Sequence, residues 1–379
     1  MSQNKKLVFL TGTRADFGKL KSLIAIAESS SFLDVYVFVT GMHLNKTFGY
    51  TIDEINKEGY QNIYQFKNHD VSTRMDIILS NTIKGFSQFL IELQPDLIVV
   101  HGDRVEALAG AISGSLNNIL VAHIEGGEIS GTIDESIRHA VSKMSHVHFV
   151  ANEVAKKRLI QLGELPSTIY KLGSPDLDLM NPNRIPKLND ALNRYEIKFT
   201  EYSIAMFHPV TTEINSLKNS IKQFVDALLQ SKKNYIVIYP NNDLGSNLII
   251  DEFKRMDNMP NFQVFPSIRF EYFLTFLYYA KFIIGNSSAG IREAPFYDVP
   301  TINIGTRQNK RSTNKLILNT DYSSEQITEA INKVTKYKLN RSHIAGHEFG
   351  DGKSNIMFLE IMKNKNFWKT LKQKNFQDQ

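Results

Sequence analysis

The chain contains no cysteine. That absence excludes disulfides, thiolate nucleophiles and cysteine-based zinc sites. No apolar stretch approaches the ~20 residues that cross a bilayer. The first apolar run, Leu7–Leu10 behind Lys5 and Lys6, is too short for a signal peptide, so the expected address is the cytoplasm, with no membrane partner. Nor is there a stripe of Lys and Arg interleaved with aromatics. The net charge of +5 therefore does not read as a nucleic-acid signature. The one local cluster, Arg307, Lys310, Arg311 and Lys315, suits a small anionic ligand or a solvated loop. Short-period repeats, low-complexity segments and the H-E-x-x-H metal pattern are also missing.

What remains is an ordinary globular composition, 42% hydrophobic and 22% charged, in a chain of 379 residues, long enough for two domains. Leu7–Leu10, Val35–Val39, Leu97–Val100, Ile119–Ile124 and His148–Val150 read as strands, with Asn62–Phe66 as an edge strand. Helices are expected at Met75–Leu93 and Ala107–Leu116. Short apolar runs alternating with helices imply a parallel sheet covered on both faces. Turn chemistry interrupts the pattern over Gly173–Lys187. It then resumes with strands at Ile204–Phe207, Tyr235–Tyr239, Phe262–Phe265, Phe282–Ile284 and Thr301–Ile304. The expected organisation is two Rossmann-like, doubly wound α/β domains facing a cleft, residues 1–172 and 173–360. A helix at about 361–379 is expected to pack back on the first domain, within a tail, Lys353–Phe376, that reads as helical.

The densest chemistry lies in H-I-E-G-G-E-I-S-G-T-I-D-E-S-I-R-H, His123–His139. It places Glu125 and Glu128 around Gly126 and Gly127, then Asp134, Glu135 and Arg138 at a helix start. Such a set beyond the carboxyl end of a parallel strand suits acid/base chemistry or a metal. Asp134 also fits a plain helix cap with Arg138 as its i,i+4 partner. Asp103, in H-G-D-R, suits either chemistry or capping of the next helix. His208, in F-H-P-V-T-T, ends a strand that Pro209 cannot continue. G-N-S-S-A-G-I-R-E (Gly285–Glu293) follows a strand and opens a helix. Ser287, Ser288 and the helix start there read as a phosphate cradle, with Glu293 placed to accept from ribose hydroxyls. Arg307, Arg14, Lys19 and Arg104, all at strand ends, suit a pyrophosphate. His146 and His148 share one face of a strand. His43, His69, His343 and His347 read as structural or exposed.

Taken together, T-G-T-R-A-D-F-G-K, G-M-H, H-G-D-R, H-I-E-G-G-E-I-S-G-T-I-D, H-P-V-T-T, N-S-S-A-G-I-R-E and I-N-I-G-T-R-Q resemble the hydrolysing UDP-N-acetylglucosamine 2-epimerases from about Leu7 to Val334. The resemblance implies a GT-B-like fold and a reaction with neither metal nor other cofactor. UDP leaves as the proton on sugar carbon 2 is removed, and water then adds to the 2-acetamidoglucal. The product is N-acetylmannosamine or a 2,4-diacetamido relative, supplied to nonulosonic acid synthesis. It further implies catalytic Asp103, Glu125, Asp134 and His208, a UDP site of Arg14, Lys19, Arg104, Ser287, Ser288, Glu293 and Arg307, and a homodimer or homotetramer. Glu128 and Glu135 read as structural support. A retaining GT-B glycosyltransferase and a non-catalytic UDP-sugar-binding protein stand as alternatives.

Overall fold

A strand buried on both faces needs an apolar side chain at every position, because successive residues point to opposite sides. Leu7–Leu10 of β1 (Lys5–Thr11) meets this demand. In the computed structural model Leu7 and Phe9 enter one core with Leu97, Val99, Ala122 and Phe149. Val8 and Leu10 enter a second core on the opposite face with Ile98, Val100 and Val121. The structure describes residues 4–69, 74–130, 132–183, 185–338, 348–375 and 377. Gly131, Arg184, His343, His347 and Phe376 are among those outside that description.

The first sheet adds β2 (Leu33–Val39), β3 (Ile63–Gln65), β4 (Leu97–His101), β5 (Leu120–Ile124), β6 (Val147–Val150) and β7 (Ile169–Lys171). Its order is β3-β2-β1-β4-β5-β6-β7, and neighbours run parallel. The second comprises β8 (Ser203–Met206), β9 (Tyr235–Ile238), β10 (Phe262–Phe265), β11 (Ile283–Gly285), β12 (Thr301–Ile304) and β13 (Ile317–Thr320), in the order β10-β9-β8-β11-β12-β13 and again parallel. Each strand order reverses once, between β1 and β4 and between β8 and β11. Loops leaving the carboxyl ends at those reversals are where an open parallel sheet holds ligands. β7 and β13 are edge strands absent from the sequence reading.

Two compact units result: Met1–Glu128, Asp134–Leu179 and Glu348–Gln379 form one, and Ile129–Ile133 with Met180–His347 the other. The first unit extends past the expected boundary at 172 because its Pro175–Leu179 turn is tied down. Asp178 accepts from Ser22 Oγ at 2.9 Å and from the amides of Ser354 and Asn355 at 2.8 and 2.9 Å. Those amides open the returning helix, which spans Ser354–Lys363 and lies upstream of the expected 361–379. Its Phe358 packs against Phe9 and Phe149, and only a 3₁₀ turn, Phe367–Lys369, comes after it among the described residues.

Beyond that turn, Lys374 donates to the carbonyls of Lys143 and Ser145 at 2.9 and 2.7 Å, where the helix Ile133–Met144 ends. A cation there also complements the negative end of the helix. Lys374 pairs with Glu164, whose other partners are Lys143 and the buried His148. Burial alone would raise the Glu164 carboxyl, but the His148 and Lys374 bonds hold it down at about 2. Burial keeps His148 neutral by lowering its affinity for a proton, so Lys374 supplies the buried counter-charge. His146 accepts from the Val121 amide at 3.0 Å and bonds the Lys372 carbonyl at 2.9 Å. These two histidines therefore serve the packing of the first unit.

A second buried polar chain sits under the β1 turn. Thr13 caps the helix Arg14–Glu28 in a reciprocal capping box with Asp16. Asp16 accepts from the Gly12 and Thr13 amides at 3.0 and 3.2 Å and bonds Thr11 Oγ1. Thr11 continues to His43 Nε2 at 3.0 Å, and His43 Nδ1 to Thr51 Oγ1 at 2.7 Å. His43 thus ties the turn Gly41–Leu44 to the turn that carries Arg14. The side chain of Glu106 fills the space a Cβ would need at Gly12, and the Gly12 carbonyl with Glu106 fills it at Gly41.

Two outcomes are expected. Burial pushes the Asp16 carboxyl from 3.8 to about 7, and neighbouring Glu106 adds to the rise. Between those values the folded chain holds a proton that the unfolded chain has lost, so this group's contribution to stability falls as pH rises from about 4 to 7. Asp16→Asn removes that titration, and its melting temperature relative to the wild type should climb by several degrees between pH 5 and pH 8; a difference independent of pH refutes the assignment. Burial lowers His43 to about 3. It acts in the opposite window, costing stability as pH falls below its unfolded value of 6.5. Glu164→Gln leaves Lys374 without its counter-charge and should cost about 3 kcal/mol in urea unfolding. A loss under 0.5 kcal/mol would show that the tail contributes little.

Candidate active site

In the first unit, chemistry gathers beyond β1, β4 and β5. β5 delivers Glu125 with φ +73, a left-handed conformation that costs a non-glycine residue free energy. The Glu125 amide donates to the Phe149 carbonyl at 3.1 Å, fixing the backbone there. Lys19, from the second turn of the helix Arg14–Glu28, donates to Glu125 Oε1 at 3.0 Å. Both side chains are only 7% exposed, so this is a desolvated pair in which each charge requires the other. His101 Nε2 lies 3.6 Å from Glu125 Oε2. Lys19, expected on the nucleotide, meets Glu125 from an inward-facing helix turn.

Asp103 follows β4 and meets Arg138, which is 1% exposed and bonds Asp103 Oδ2 through Nη2. Arg138 thus spans to a different loop rather than serving Asp134 one turn away, and the helix Val105–Leu116 has Arg104 at its N-cap. His123 braces the same loop. Its Nε2 bonds the Gly102 carbonyl at 2.8 Å and its Nδ1 bonds Ser142 Oγ at 2.9 Å. A carbonyl only accepts, so the ring proton sits on Nε2 and the Ser142 hydroxyl donates to Nδ1. Burial lowers His123 to about 3, which keeps the ring neutral and structural. Asp134 is a buried residue of the first turn of the helix Ile133–Met144, and Glu128 is buried as well. Arg104 Nε lies 3.7 Å from Glu106 Oε2. Arg14 opens the helix Arg14–Glu28. Glu135 pairs on the same helix with His139 at 3.6 Å.

In the second unit the corresponding loops leave β8, β11 and β12. His208 follows β8, and Asn286, Ser287 and Ser288 follow β11. The buried Asn286 side chain accepts from the His208 amide at 2.6 Å and donates to the His208 carbonyl at 2.9 Å. The Asn286 carbonyl accepts from Arg307 Nη1 at 3.2 Å and from Gln308 Nε2 at 3.0 Å. Arg311 in turn donates to Gln308 Oε1 at 2.9 Å. Glu213 holds the loop after β12 by accepting from Thr306 at 2.6 Å and from Tyr322 at 2.7 Å. Ser287 accepts from the Ala289 amide and so caps a 3₁₀ turn, Ser288–Gly290, which leads into a short helix, Glu293–Phe296. The macrodipole there is accordingly smaller than a long helix would supply. Glu293 is buried at the start of that helix, beside the fully buried Arg292.

The structure thus gathers Asp103, Glu125, Lys19 and Arg138 in one unit, and His208, Ser287, Ser288 and Arg307 in the other. Asn286, Gln308 and Glu213 are not singled out by the sequence. Asn286 had one signal: it immediately follows β11, next to the strand that carries His208.

Comparison with known proteins gives the family. A family model described as UDP-N-acetylglucosamine 2-epimerase matches residues 25–363. The UDP-N-acetylglucosamine 2-epimerase of Neisseria meningitidis serogroup B is 46% identical over 377 residues, 99% of each chain. The hydrolyzing UDP-N,N'-diacetylbacillosamine 2-epimerase of Legionella pneumophila is 32% identical over 365 residues, 95% of this chain and 96% of that one. In fold, the chain is similar to the Methanocaldococcus jannaschii UDP-GlcNAc 2-epimerase in complex with UDP-GlcNAc and UDP, with a TM-score of 0.80 at 20% identity over 94% of this chain and 99% of that one. With two doubly wound parallel sheets of the GT-B-like class and a family match across most of its length, the chain belongs to the UDP-N-acetylglucosamine 2-epimerase family.

Proposed function

We propose that this protein is a hydrolysing 2-epimerase acting on UDP-N-acetylglucosamine or a 2,4-diacetamido-6-deoxy relative. The observation that carries the reading is the buried Lys19–Glu125 pair at the end of β5, close in sequence to Asp134. The named hydrolyzing relative from Legionella supports the hydrolytic course. In the first step a carboxylate takes the proton from sugar carbon 2. The released electron pair forms the C1=C2 bond, the C1–O bond breaks, and UDP departs with the bonding electrons. In the second, water oxygen adds to C1 while a proton is delivered to C2 from the opposite face. The free sugar then has inverted configuration at C2.

Glu125 and Asp134 share the proton transfers in this reading. Asp103, clamped by Arg138, orients the sugar or acts as an alternate base. A carboxylate close to the anomeric centre also stabilises the oxocarbenium character of the transition state, as charge placed in advance does generally. Arg14, Arg104, Ser287, Ser288, Glu293 and Arg307 hold the nucleotide, and His208 acts at the departing diphosphate. Arg307 is fixed by the Asn286 carbonyl, so a guanidinium is pre-positioned for an anion. The reading includes a homodimer or homotetramer. Ile91 and Leu116, exposed on the helices Met75–Leu93 and Val105–Leu116, are apolar surface that such an assembly would cover.

Purified protein incubated with UDP-GlcNAc in heavy water should release UDP together with N-acetylmannosamine carrying deuterium at carbon 2. Absence of UDP release from every UDP-N-acetylhexosamine offered would end the proposal, and UDP release that depends on an acceptor would indicate a glycosyltransferase. Glu125→Gln should lower kcat by about 10²–10⁴-fold, the span usual for a group that moves a proton. A kcat within threefold of wild type would remove Glu125 from that role.

A further inference from the structure

We infer that Asn286 is a positioning residue that holds His208 as a fixed, neutral hydrogen-bond donor through Nε2, and that the same residue ties this ring to the Arg307 guanidinium. The inference rests on the proposed reading in which His208 meets the departing diphosphate.

The argument starts at the backbone. β8 and β11 run parallel, with Ile204 opposite Ile283, Ala205 opposite Ile284 and Met206 opposite Gly285. Gly285 has φ +132, and a Cβ there would lie 1.8 Å from the Met206 carbonyl oxygen. Glycine is therefore required at this position. Its close approach lets the Asn286 amide donate to the Met206 carbonyl at 3.1 Å. The Asn286 side chain then lies along the next stretch of β8. There it takes over the work of a strand: its Oδ1 accepts from His208 N–H and its Nδ2 donates to His208 C=O. Pro209 has no N–H, so no strand ladder can continue past His208. Both bonds need an amide side chain of this length. Aspartate has no donor for the carbonyl.

With its backbone placed in this way, the His208 ring meets a second loop. The Asn241 backbone N–H donates to His208 Nδ1 at 3.0 Å. A backbone N–H can only donate, so Nδ1 is the acceptor and the ring proton sits on Nε2. A second proton on Nδ1 would set two N–H groups against each other. His208 is thus built to offer a hydrogen bond and keep its proton. That is sufficient for this leaving group, because a departing diphosphate needs its developing charge stabilised rather than a proton delivered to it. Through its own carbonyl, Asn286 also holds Arg307 and Gln308. One buried residue therefore fixes both a neutral donor and a guanidinium. Replacing its side chain frees the first and leaves the second, since Arg307 bonds the main chain.

The test pairs a spectroscopic with a kinetic measurement. In protein carrying ¹⁵N-labelled histidine, with His208 assigned by its loss in His208→Gln, the wild type at pH 7 should show Nδ1 unprotonated and Nε2 protonated, without any ligand. In Asn286→Ala the two shifts should move toward a mixed tautomer. Its kcat on UDP-GlcNAc should fall about 10²-fold, the scale of a misplaced catalytic group, while UDP affinity stays within about threefold. Asn286→Asp, which keeps the volume, should show the same split and guards against loss of fold in the alanine variant. An imidazolium or an Nδ1–H tautomer in the wild type overturns the inference. So does an unchanged ring in both folded variants, or a kcat within twofold. If the wild type turns over no UDP-sugar, the epimerase reading fails separately. The ring measurements then decide the positioning role alone.

Discussion

Burial of both faces of a parallel sheet governs the rest of this molecule. Every residue of β1 from Leu7 to Leu10 lies in one of two cores, and such positions leave no room for a charged side chain. Chemistry is displaced to strand ends, and topology selects which ends. The strand order reverses between β1 and β4 and again between β8 and β11. At each reversal two adjacent loops diverge and leave an opening. Asp103 and the helix that carries Arg14 and Lys19 follow the first pair of strands, and His208 with Asn286 the second. The same device, built twice, gathers Asp103 and Glu125 with their cations in one unit, and His208 with Asn286 and Arg307 in the other.

Each acid in the first set is matched by a cation from a separate helix. Lys19 reaches Glu125 from the helix Arg14–Glu28, and Arg138 reaches Asp103 from Ile133–Met144. The two pairs are not equivalent. Lys19 and Glu125 form a pair in which both side chains are only 7% exposed, whereas Asp103 is 23% exposed and bonds Arg138 through Nη2 alone. Arg138 is the more deeply buried cation. The desolvated pair and the strained backbone at Glu125 support the proposal that Glu125 shares proton transfer with Asp134 while Asp103 orients the sugar.

Periodicity made the central strands legible, since four to six consecutive apolar residues have few other uses in an α/β chain. It missed β7 and β13, where Ile-Tyr-Lys and Ile-Leu-Asn-Thr mix polar side chains into edges buried on one side or less. Charge spacing misled at Arg138. The i,i+4 relation to Asp134 is real on the helix, but Asp103 from a distant loop competes for the guanidinium and wins. Histidines were the least legible. His43, His123, His146 and His148 look alike in sequence, yet each is placed by buried partners that only the fold supplies: Thr11 and Thr51, Gly102 and Ser142, Val121 and Lys372, and Glu164. Motif resemblance named the chemistry without revealing which of these groups were structural.

The distribution of histidine roles follows from what each ring nitrogen can reach. His123 spends both nitrogens on protein groups, a carbonyl and a hydroxyl, so its proton is fixed and its chemistry is spent on holding the Gly102–Asp103 loop to the helix Ile133–Met144. At His208 the backbone amide of Asn241 engages Nδ1 and determines where the ring proton sits. The difference lies in the partner's polarity. A carbonyl at Nε2 draws the ring's donor into the structure, whereas an amide at Nδ1 directs the donor to the other nitrogen. A parallel sheet favours the second arrangement at its carboxyl edge, because the loops leaving adjacent strands present their first amides there. The geometry that brings β8 and β9 side by side to the carboxyl edge thereby supplies the backbone donor that sets the tautomer of His208.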